Sequence, residues 1–482
     1  MIRRMKWPGW VVLLLVLAVC ILGINQVLAK YSSAESDEPE EKTPDSSVYP
    51  GLNLQTKTKE TDLYTTSISQ PYTEISSINQ PINQWINNQK ETFIKSVKQN
   101  KQTLKQNDFR AHLNIQVDTQ KIAEKIYTLE FSAYQIAGGA NGTNTVKSFT
   151  IDLTENKILK LDDVLDMNKE TIEQIQKLTK EALYRDKDVK PYIMNDLLEK
   201  ALQDPKDWEW SINNKNMTLY FDEYEIAAGA AGEIRAAIPI DEIKPYLNET
   251  FAKKLDVKIP EKDTQDKEET DHPNESALHP DGKYIALTFD DGPDPNVTPR
   301  ILETLQKHDA KATFFMLGSQ VEYYPELANK VEEAGHEIGN HTMHHQDLTI
   351  NQQPAIKQEV QQASDIIQQA TGQAPSLFRP PYGASNKTVE KVAEKMDTPI
   401  SMWSVDSLDW KSRNADAVHK EVMANAAPGS IVLLHDIHPS TADALPEVIA
   451  SLEKEGYQMV TVSQLLQLWN EQGIGPYYGK IG

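Results

Sequence analysis

Two parts of the chain repeat apolar residues at spacings that predict regular structure. In the first part, apolar residues between Ile82 and Gln99 recur at helical spacing, whereas Ile126 to Ile136 alternates apolar and polar residues as a half-buried strand does. In the second part, short apolar runs alternate with amphipathic segments. The predicted strands there are Tyr284–Phe289, Ala312–Leu317, Ile400–Val405 and Ile431–Leu434, and the predicted helices are 299–308, 353–370 and 442–455. Such alternation predicts parallel strands covered by helices, in an α/β barrel or an open sheet.

Shifts in composition divide the chain into five segments. Residues 31–58 are rich in Ser, Glu, Asp, Pro and Lys, and residues 251–278 contain a charge run with no apolar period, so we predict a disordered spacer and a linker. Residues 1–30 are predicted to be a membrane anchor or signal. The remaining segments are an α+β tandem domain, 59–250, and the α/β domain, 279–470.

The N-terminal segment combines basic residues with an apolar run. Arg3, Arg4 and Lys6 precede the run from Trp10 to Ile24, and this arrangement orients a membrane span with its N-terminus inside. An uncleaved single-pass anchor is favoured over a signal cleaved near Ala29 and over lipid attachment at Cys20. All three alternatives export the rest of the chain, which predicts an extracytoplasmic protein at the cell membrane or in the cell wall.

Charge and cysteine content exclude several classes of function. The 482-residue chain has a formal net charge of -22, which argues against nucleic acid as a partner. Its one cysteine, Cys20, lies in the apolar N-terminal run. The rest of the chain therefore has no disulfide, no thiolate zinc site and no cysteine nucleophile.

A glycine-rich sequence occurs twice in the first domain. Residues Tyr134 to Gly142 are echoed by Tyr224 to Gly232, each after a strand-like segment. The repetition suggests two related α+β lobes, and a pair of glycine-rich hairpin turns is favoured over a ligand loop. A phosphate-binding loop is excluded because no Lys-Ser or Lys-Thr follows the glycines.

Five short motifs in the last 200 residues carry the candidate chemistry. They are Thr288-Phe289-Asp290-Asp291, His341-Thr342-Met343-His344-His345, Arg379-Pro380-Pro381-Tyr382-Gly383, Asp406-Ser407-Leu408-Asp409-Trp410 and Leu433-Leu434-His435-Asp436. Four of them follow predicted strands, at the edge where parallel folds place catalytic residues. The adjacent Asp290 and Asp291 are poorly placed to flank a glycosidic bond. A division into one metal ligand and one free base is favoured.

The histidine spacing predicts a metal site. His341 and His345 are four residues apart, so a helical turn would place both imidazoles on one face. His344, three residues from His341, could substitute for His345. Two imidazoles and Asp291 leave a coordination position open, as catalytic zinc requires. Zinc is favoured for this ligand set, with manganese or cobalt as alternatives.

In this order, the five motifs resemble those of polysaccharide deacetylases of the carbohydrate esterase family 4 type, also called the NodB homology domain. The resemblance covers roughly residues 280–470. It implies a distorted (β/α) barrel and metal-dependent removal of acetyl groups from N-acetylated sugars. The implied metal ligands are Asp291, His341 and His345.

The same resemblance implies a role for each remaining motif residue. Asp290 would be the general base, oriented by Arg379, and His435 the general acid, held charged by Asp409. The other implied roles are an oxyanion contact from the backbone N–H of Tyr382 and an acetyl pocket lined by Trp410 and Leu433. His344 and His438 are predicted to have surface roles.

The arrangement of anchor, spacer and tandem domain resembles that of membrane-anchored peptidoglycan N-acetylmuramic acid deacetylases of bacilli. It implies peptidoglycan, or another N-acetylated glycan, as the partner. The alternatives are deacetylation of chitooligosaccharides or acetyl-xylan, and a protein that binds cell wall or lysozyme mainly through residues 59–250. The last alternative rests on a resemblance of the glycine-rich echo to the extracellular module of a lysozyme-sensing anti-sigma factor.

Overall fold

The computed structural model describes residues 47–107, 109–138, 142–222, 224–227, 234–255, 282–471 and 473–479. These residues belong to one compact unit. The predicted anchor, residues 31–46 of the predicted spacer and residues 256–278 of the predicted linker lie outside them. Among the residues described, no helix is both long and apolar enough to span a bilayer.

The first body, residues 47–255, is built on a six-stranded sheet. Its strands in spatial order are β1 Asn53–Glu60, β2 Tyr64–Tyr72, β3 Ala111–Ala123, β4 Ile126–Ile136, β5 Thr143–Asp152 and β6 Lys157–Leu159. Neighbours are antiparallel except β2 and β3, which are parallel. The predicted strand over 126–136 is confirmed as β4.

The predicted disordered spacer is wrong at its C-terminal end. Strand β1 begins at Asn53, inside the range 31–58 that we predicted to be disordered. Leu52 and Leu54 are both buried, and they supply the apolar contacts that hold this segment on the sheet. Two leucines in a polar segment form too short a pattern to predict a strand.

The longest helix of the first body packs against the large sheet. The helices of this body are α1 Ser76–Gln99, α2 Lys101–Gln106, α3 Leu161–Val164, α4 Lys169–Arg185, α5 Asn195–Ala201, α6 Ile240–Ile243 and α7 Glu249–Leu255. Helix α1 includes the helix predicted over 82–99 and begins six residues earlier. Its buried side chains pack with apolar residues of β3 and β4 in one core: Ile78, Ile82, Ile86, Phe93 and Val97.

A second, three-stranded sheet completes the first body. It consists of β7 Glu209–Ile212, β8 Asn216–Phe221 and β9 Ile234–Pro239, all antiparallel. The two copies of the glycine-rich echo fall in the sequence between β4 and β5 and between β8 and β9. Most of their glycines lie outside the described residues, so the turn interpretation stays a prediction. Because one sheet has six strands and the other three, the described residues do not form two equivalent lobes.

The second body, residues 282–479, contains only parallel strand pairs within its main sheet. The strands are β10 Lys283–Asp290, β11 Ala312–Met316, β12 Glu337–Asn340, β13 Val405–Asp406, β14 Ile431–His435 and β15 Tyr457–Met459. The order is β12-β11-β10-β14-β13, and β15 pairs with the start of β10. Bridges from Phe378 to Asn340 and to Ile400 close the ring. The predicted distorted barrel is therefore present.

Nine helices of the described residues surround this barrel. They are α8 Thr298–Lys307, α9 Gly318–Tyr323, α10 Pro325–Glu333, α11 Gln353–Thr371, α12 Lys387–Lys395, α13 Asp409–Ser412, α14 Ala415–Asn425, α15 Pro439–Lys454 and α16 Val462–Leu468. The predicted helices agree with α8, α11 and α15 to within three residues at each end. The strand predicted over 400–405 is wrong in extent, because β13 comprises only Val405–Asp406. The carbonyl oxygens of Ser401 and Met402 accept hydrogen bonds from the Arg379 guanidinium instead of from a neighbouring strand.

The two bodies share one hydrophobic core. Tyr323, Tyr324 and Leu327 of the second body pack into the same cluster as the core of the large sheet. Hydrogen bonds join the bodies as well, from Gln320 Nε2 to Thr56 Oγ1 at 2.8 Å and from the Leu54 N–H to Tyr324 Oη at 3.1 Å. The first body is therefore packed against the barrel rather than tethered beside it.

Replacing Leu327 with alanine tests this shared core. Leu327 is 5% exposed, and we expect the free energy of unfolding to fall by about 2–5 kcal/mol. Because Leu327 packs on first-body residues, hydrogen exchange should become faster in β1 and β2. The matched variant Leu445→Ala lies in the barrel core alone. Unchanged protection of β1 and β2 in Leu327→Ala would contradict a shared core.

Candidate active site

All five motifs meet at the C-terminal ends of the barrel strands. Asp290 ends β10, Asp406 ends β13 and His435 ends β14, while Arg379 follows Phe378. His341 also follows a strand, β12, which the sequence analysis did not predict. These ends border a cleft of about 400 Å³.

Three side chains form a group that could hold a metal ion: Asp291, His341 and His345. Asp291 Oδ1 lies 3.4 Å from His341 Nε2 and 3.2 Å from His345 Nε2. His341 Nδ1 lies 2.7 Å from the Arg379 carbonyl oxygen, which only accepts hydrogen bonds. Nδ1 therefore carries the hydrogen, and Nε2 is directed at the carboxylate. A nitrogen lone pair facing a carboxylate oxygen needs a proton or a cation between them, so the group fits a divalent metal.

Asp291 is ionised in this group. Burial acts to raise the pKa of Asp291, but His345 and His341 hold it well below its usual range. Its Oδ1 is buried and has no hydrogen-bond partner among the described residues. A buried anionic oxygen without a donor is costly, and a bound cation would compensate its charge.

The helical turn predicted for the histidine motif is wrong. Residues 341–345 form an irregular loop in which Thr342 has φ +71° and His345 has φ +54°. The His345 N–H donates to Thr342 Oγ1 at 3.0 Å and stabilises this reversal. The loop, rather than a helix, directs both imidazoles to Asp291, whose own φ is +78°.

The predicted surface roles of His344 and His438 are also wrong, because both side chains are buried. His344 Nδ1 lies 2.8 Å from Glu359 Oε1, and its Nε2 lies 3.8 Å from Asp118 Oδ1 of the first body. Burial acts to lower the pKa of His344, but these two carboxylates raise it to about 10. His344 is thus bound to Glu359 and is not part of the metal group.

A buried arginine fixes Asp290. Arg379 is fully buried and donates from Nη1 to Asp290 Oδ1 and to Thr288 Oγ1, each at 2.7 Å. Its guanidinium carbon lies 4.0 Å from the centroid of the Phe315 ring. The opposite charges compensate each other in the interior. Oδ2 of Asp290 remains near the metal group, 3.8 Å from His341 Nε2.

At the end of β14, His435 is paired with Asp409. His435 Nδ1 lies 2.8 Å from Asp409 Oδ1, while Asp409 Oδ2 accepts from the His435 N–H at 2.8 Å and from Thr441 Oγ1 at 2.7 Å. Burial acts to lower the pKa of His435, but Asp409 raises it to about 10. Burial acts to raise the pKa of Asp409, but His435 lowers it to about 2. The imidazole is therefore a cation at neutral pH.

The remaining predicted residues line the same cleft. Tyr382, Trp410 and Leu433 all border it. Tyr382 has φ +60°, and its ring lies edge-on to that of His345 with 4.6 Å between centroids. Trp410 Nε1 donates to Asp406 Oδ1 at 3.3 Å, which orients the indole. Their roles toward oxyanion and acetyl group remain predictions.

The sequence analysis missed several residues of the cleft. Trp403, Lys411 and Arg413 of the second body line it, as do residues 58–60 of β1 in the first body. Residues 58–60 lie more than 200 positions from the motifs and carry no motif of their own. No sequence signal marks such a wall, because it depends on how the two bodies pack.

Metal removal and replacement test the metal group. When metal-stripped protein receives Zn²⁺ at about 100 times its dissociation constant, the free energy of unfolding should rise by about 2.7 kcal/mol. Calorimetry would measure this rise, and elemental analysis would count bound metal. We expect His345→Ala to remove both responses, whereas His308→Ala, beside Glu453 and away from the cleft, should keep them. An unchanged response in His345→Ala would contradict the assignment.

Comparison with known proteins identifies relatives whose names state an activity. Residues 277–400 match the family model of polysaccharide deacetylases, and residues 162–241 match that of a protein family of unknown function, DUF3298. Peptidoglycan-N-acetylmuramic acid deacetylase PdaC of Bacillus subtilis is 33% identical over 470 residues, which cover 96% of this chain and 97% of that protein.

Two further matches cover the second body. Peptidoglycan-N-acetylglucosamine deacetylase PgdA of Listeria monocytogenes is 46% identical over 183 residues, 38% of this chain and 39% of that protein. A solved structure of PdaC from Bacillus subtilis is 42% identical, covers 40% of this chain and 94% of that chain, and gives a TM-score of 0.39.

Proposed function

Because the chain belongs to the polysaccharide deacetylase family, we propose that it hydrolyses the acetamide of N-acetylated sugars in peptidoglycan and releases acetate. The sugar is N-acetylmuramic acid, N-acetylglucosamine or both, as the names of the two relatives suggest. The observation that carries the proposal is that one cleft combines a carboxylate held by arginine, a candidate metal group and a charged histidine.

The proposed reaction contains two proton transfers, one to Asp290 and one from His435. Asp290, held by Arg379, would accept a proton from the water that attacks the acetyl carbonyl carbon. The backbone N–H of Tyr382 would donate to the oxyanion. His435, kept charged by Asp409, would donate a proton to the sugar nitrogen as the C–N bond breaks. The products are acetate and a free amine.

The metal belongs to the same proposal. Asp291, His341 and His345 would hold a divalent metal, which would lower the pKa of a bound water to about 7 and polarise the acetyl carbonyl. We propose zinc, because two imidazoles and one carboxylate suit a catalytic zinc site. Manganese and cobalt are the alternatives that metal analysis of the purified protein would identify.

We propose that residues 1–30 anchor the protein in the cell membrane with the cleft outside. The support is the basic cluster before the apolar run from Trp10 to Ile24. Fractionation of cells that express the full chain should recover it with membranes, and protease added to protoplasts should digest it. Recovery in the culture medium would contradict the anchor.

Mass spectrometry of purified peptidoglycan fragments and chitooligosaccharides, before and after incubation with the protein, tests the activity. Loss of one acetyl group from muramoyl or glucosaminyl residues is expected. The free amines formed should also reduce digestion of the treated wall by lysozyme. No loss of acetyl from any of these glycans would overturn the proposed function.

A further inference from the structure

The cleft contains cations that do not pair with any of its own carboxylates. Among the carboxylates that line it, Asp290 is paired with Arg379, Asp291 belongs to the candidate metal group, and Glu60 is paired with Arg110 of the first body. The fourth, Asp406, accepts hydrogen bonds from the Leu408 N–H and the Trp410 indole.

Besides His435, which is paired with Asp409, three cations line this cleft: Lys59, Lys411 and Arg413. Among the described residues, none of them forms an ion pair with a carboxylate. The Lys59 ammonium lies 5.8 Å from the centroid of Tyr64 in the first body. Lys411 and Arg413 therefore remain as unpaired charges on the barrel side of the cleft, in a chain whose net charge is -22.

Arg413 is held by the same turn that carries the acid pair. It follows helix α13, which begins at Asp409, and the Arg413 N–H donates to the Asp409 carbonyl oxygen at 3.1 Å. Its φ of +49° and ψ of +35° are left-handed, a conformation that a residue with a Cβ adopts at a cost of about 1–2 kcal/mol. Such strain is typical of residues that a functional site positions.

The chemistry of peptidoglycan supplies a ligand for this cation. A muramoyl residue carries a lactyl ether on C3, next to the C2 acetamide. Where no stem peptide is attached, the lactyl group ends in a free carboxylate, whereas a stem peptide converts it to an amide. A glucosaminyl residue has only a hydroxyl group on C3. A guanidinium in the cleft that receives the acetamide can bind such a carboxylate through two N–H groups.

We propose that Arg413 binds the lactyl carboxylate of muramoyl residues that carry no stem peptide and thereby selects them over glucosaminyl residues. This inference rests on the proposed N-deacetylase function. Lys411, the neighbouring unpaired cation, adds to the attraction of anionic glycan. The role differs from that of the motif residues, because Arg413 recognises the sugar and takes no part in proton transfer.

The test measures kcat/KM of the full-length protein for two substrates, a muramoyl-containing tetrasaccharide without peptides and N-acetylchitotetraose. For Arg413→Met, we expect a loss of about tenfold to a hundredfold on the muramoyl substrate, the range for a hydrogen bond to a charged group. Activity on chitotetraose should stay within about twofold. Both residues at this position have a Cβ, so the backbone strain is the same.

Two further variants make the test specific. Arg413→Lys, which keeps the charge, should recover part of the muramoyl activity, and Lys420→Met, an exposed lysine on α14 outside the cleft, should change neither activity. Equal losses on both substrates or no loss on either in Arg413→Met would overturn the role of Arg413, as would a wild-type protein that deacetylates chitotetraose but not the muramoyl substrate. A wild-type protein inactive on both tetrasaccharides and on peptidoglycan would overturn the proposed function itself.

Discussion

Asp290→Asn is expected to lower kcat for glycan deacetylation by about 10²–10⁴-fold, the usual contribution of a positioned general base. Asparagine keeps an oxygen that can accept the 2.7 Å hydrogen bond from Arg379 Nη1. It cannot accept a proton from water at neutral pH. Acetate release under saturating substrate measures kcat, and the change in KM should be small because the amide fills the same space.

The alanine variant separates structure from chemistry at the same position. Asp290→Ala leaves the fully buried Arg379 guanidinium without its carboxylate, so we expect it to lose about 3–5 kcal/mol of stability in addition to activity. Asp416→Asn, an exposed carboxylate at the start of α14, is the matched control and should change neither. Full acetate release by Asp290→Asn would show that a group other than Asp290 acts as the general base.

The barrel and the position of its motifs follow from local pattern. Strands β10, β11 and β14 are short apolar runs with both faces buried, and each is followed by a helix or a turn. Parallel strands bring their C-terminal ends to one edge, so Asp290 and His435 were predicted to share a site. Strand β12 was missed because it has only four residues, one of them glycine.

The loop geometry of the metal group could not be predicted from spacing. The four-residue spacing of His341 and His345 is compatible with one helical turn, but the chain instead adopts positive φ at Thr342 and His345. Such conformations are rare for residues with a Cβ and persist only where the surroundings impose them. Here the imposing contacts come from Arg379 and from the first body, which are distant in sequence.

The packing of the first body against the barrel is the largest feature that the sequence analysis did not predict. One face of the large sheet carries several polar side chains, among them Thr56, Ser67 and Asn114, and such a face is expected in water. Instead the barrel covers it: Asn114 Nδ2 donates to the His344 carbonyl oxygen at 3.1 Å, and Gln320 donates to Thr56. A row of polar side chains indicates that these groups need hydrogen-bond partners. It does not indicate whether the partners are water molecules or another protein surface.

Asp409→Asn is expected to move the alkaline limb of the pH–rate profile toward acid. In the wild-type protein, Asp409 holds the pKa of His435 at about 10, so the acid stays protonated across neutral pH. Without this carboxylate, burial, which lowers the pKa of His435, is opposed only by the smaller effects of Asp291 and Asp290. At pH 8 the imidazole would be neutral, and we expect kcat to fall by at least about 10²-fold.

The same pair predicts how stability depends on pH. The pKa of His435 is raised from its ordinary 6.5 to about 10, so its contribution is fully present below pH 6.5 and is lost as pH rises through 10. The pKa of Asp409 is lowered from 3.8 to about 2, so its contribution is present above pH 3.8 and is lost as pH falls through 2. The stability difference between wild type and Asp409→Asn should therefore be largest between about pH 4 and 6.5.

A control variant separates the charge of Asp409 from its hydrogen bonds. Thr441→Val removes the 2.7 Å bond from Thr441 Oγ1 to Asp409 Oδ2 but keeps the ion pair with His435. We expect it to cost about 1–3 kcal/mol of stability while the alkaline limb moves by much less than in Asp409→Asn. Titration of the His435 ring by NMR would measure both shifts. An unchanged His435 pKa in Asp409→Asn would show that Asp409 only positions the ring, and that other groups keep it protonated.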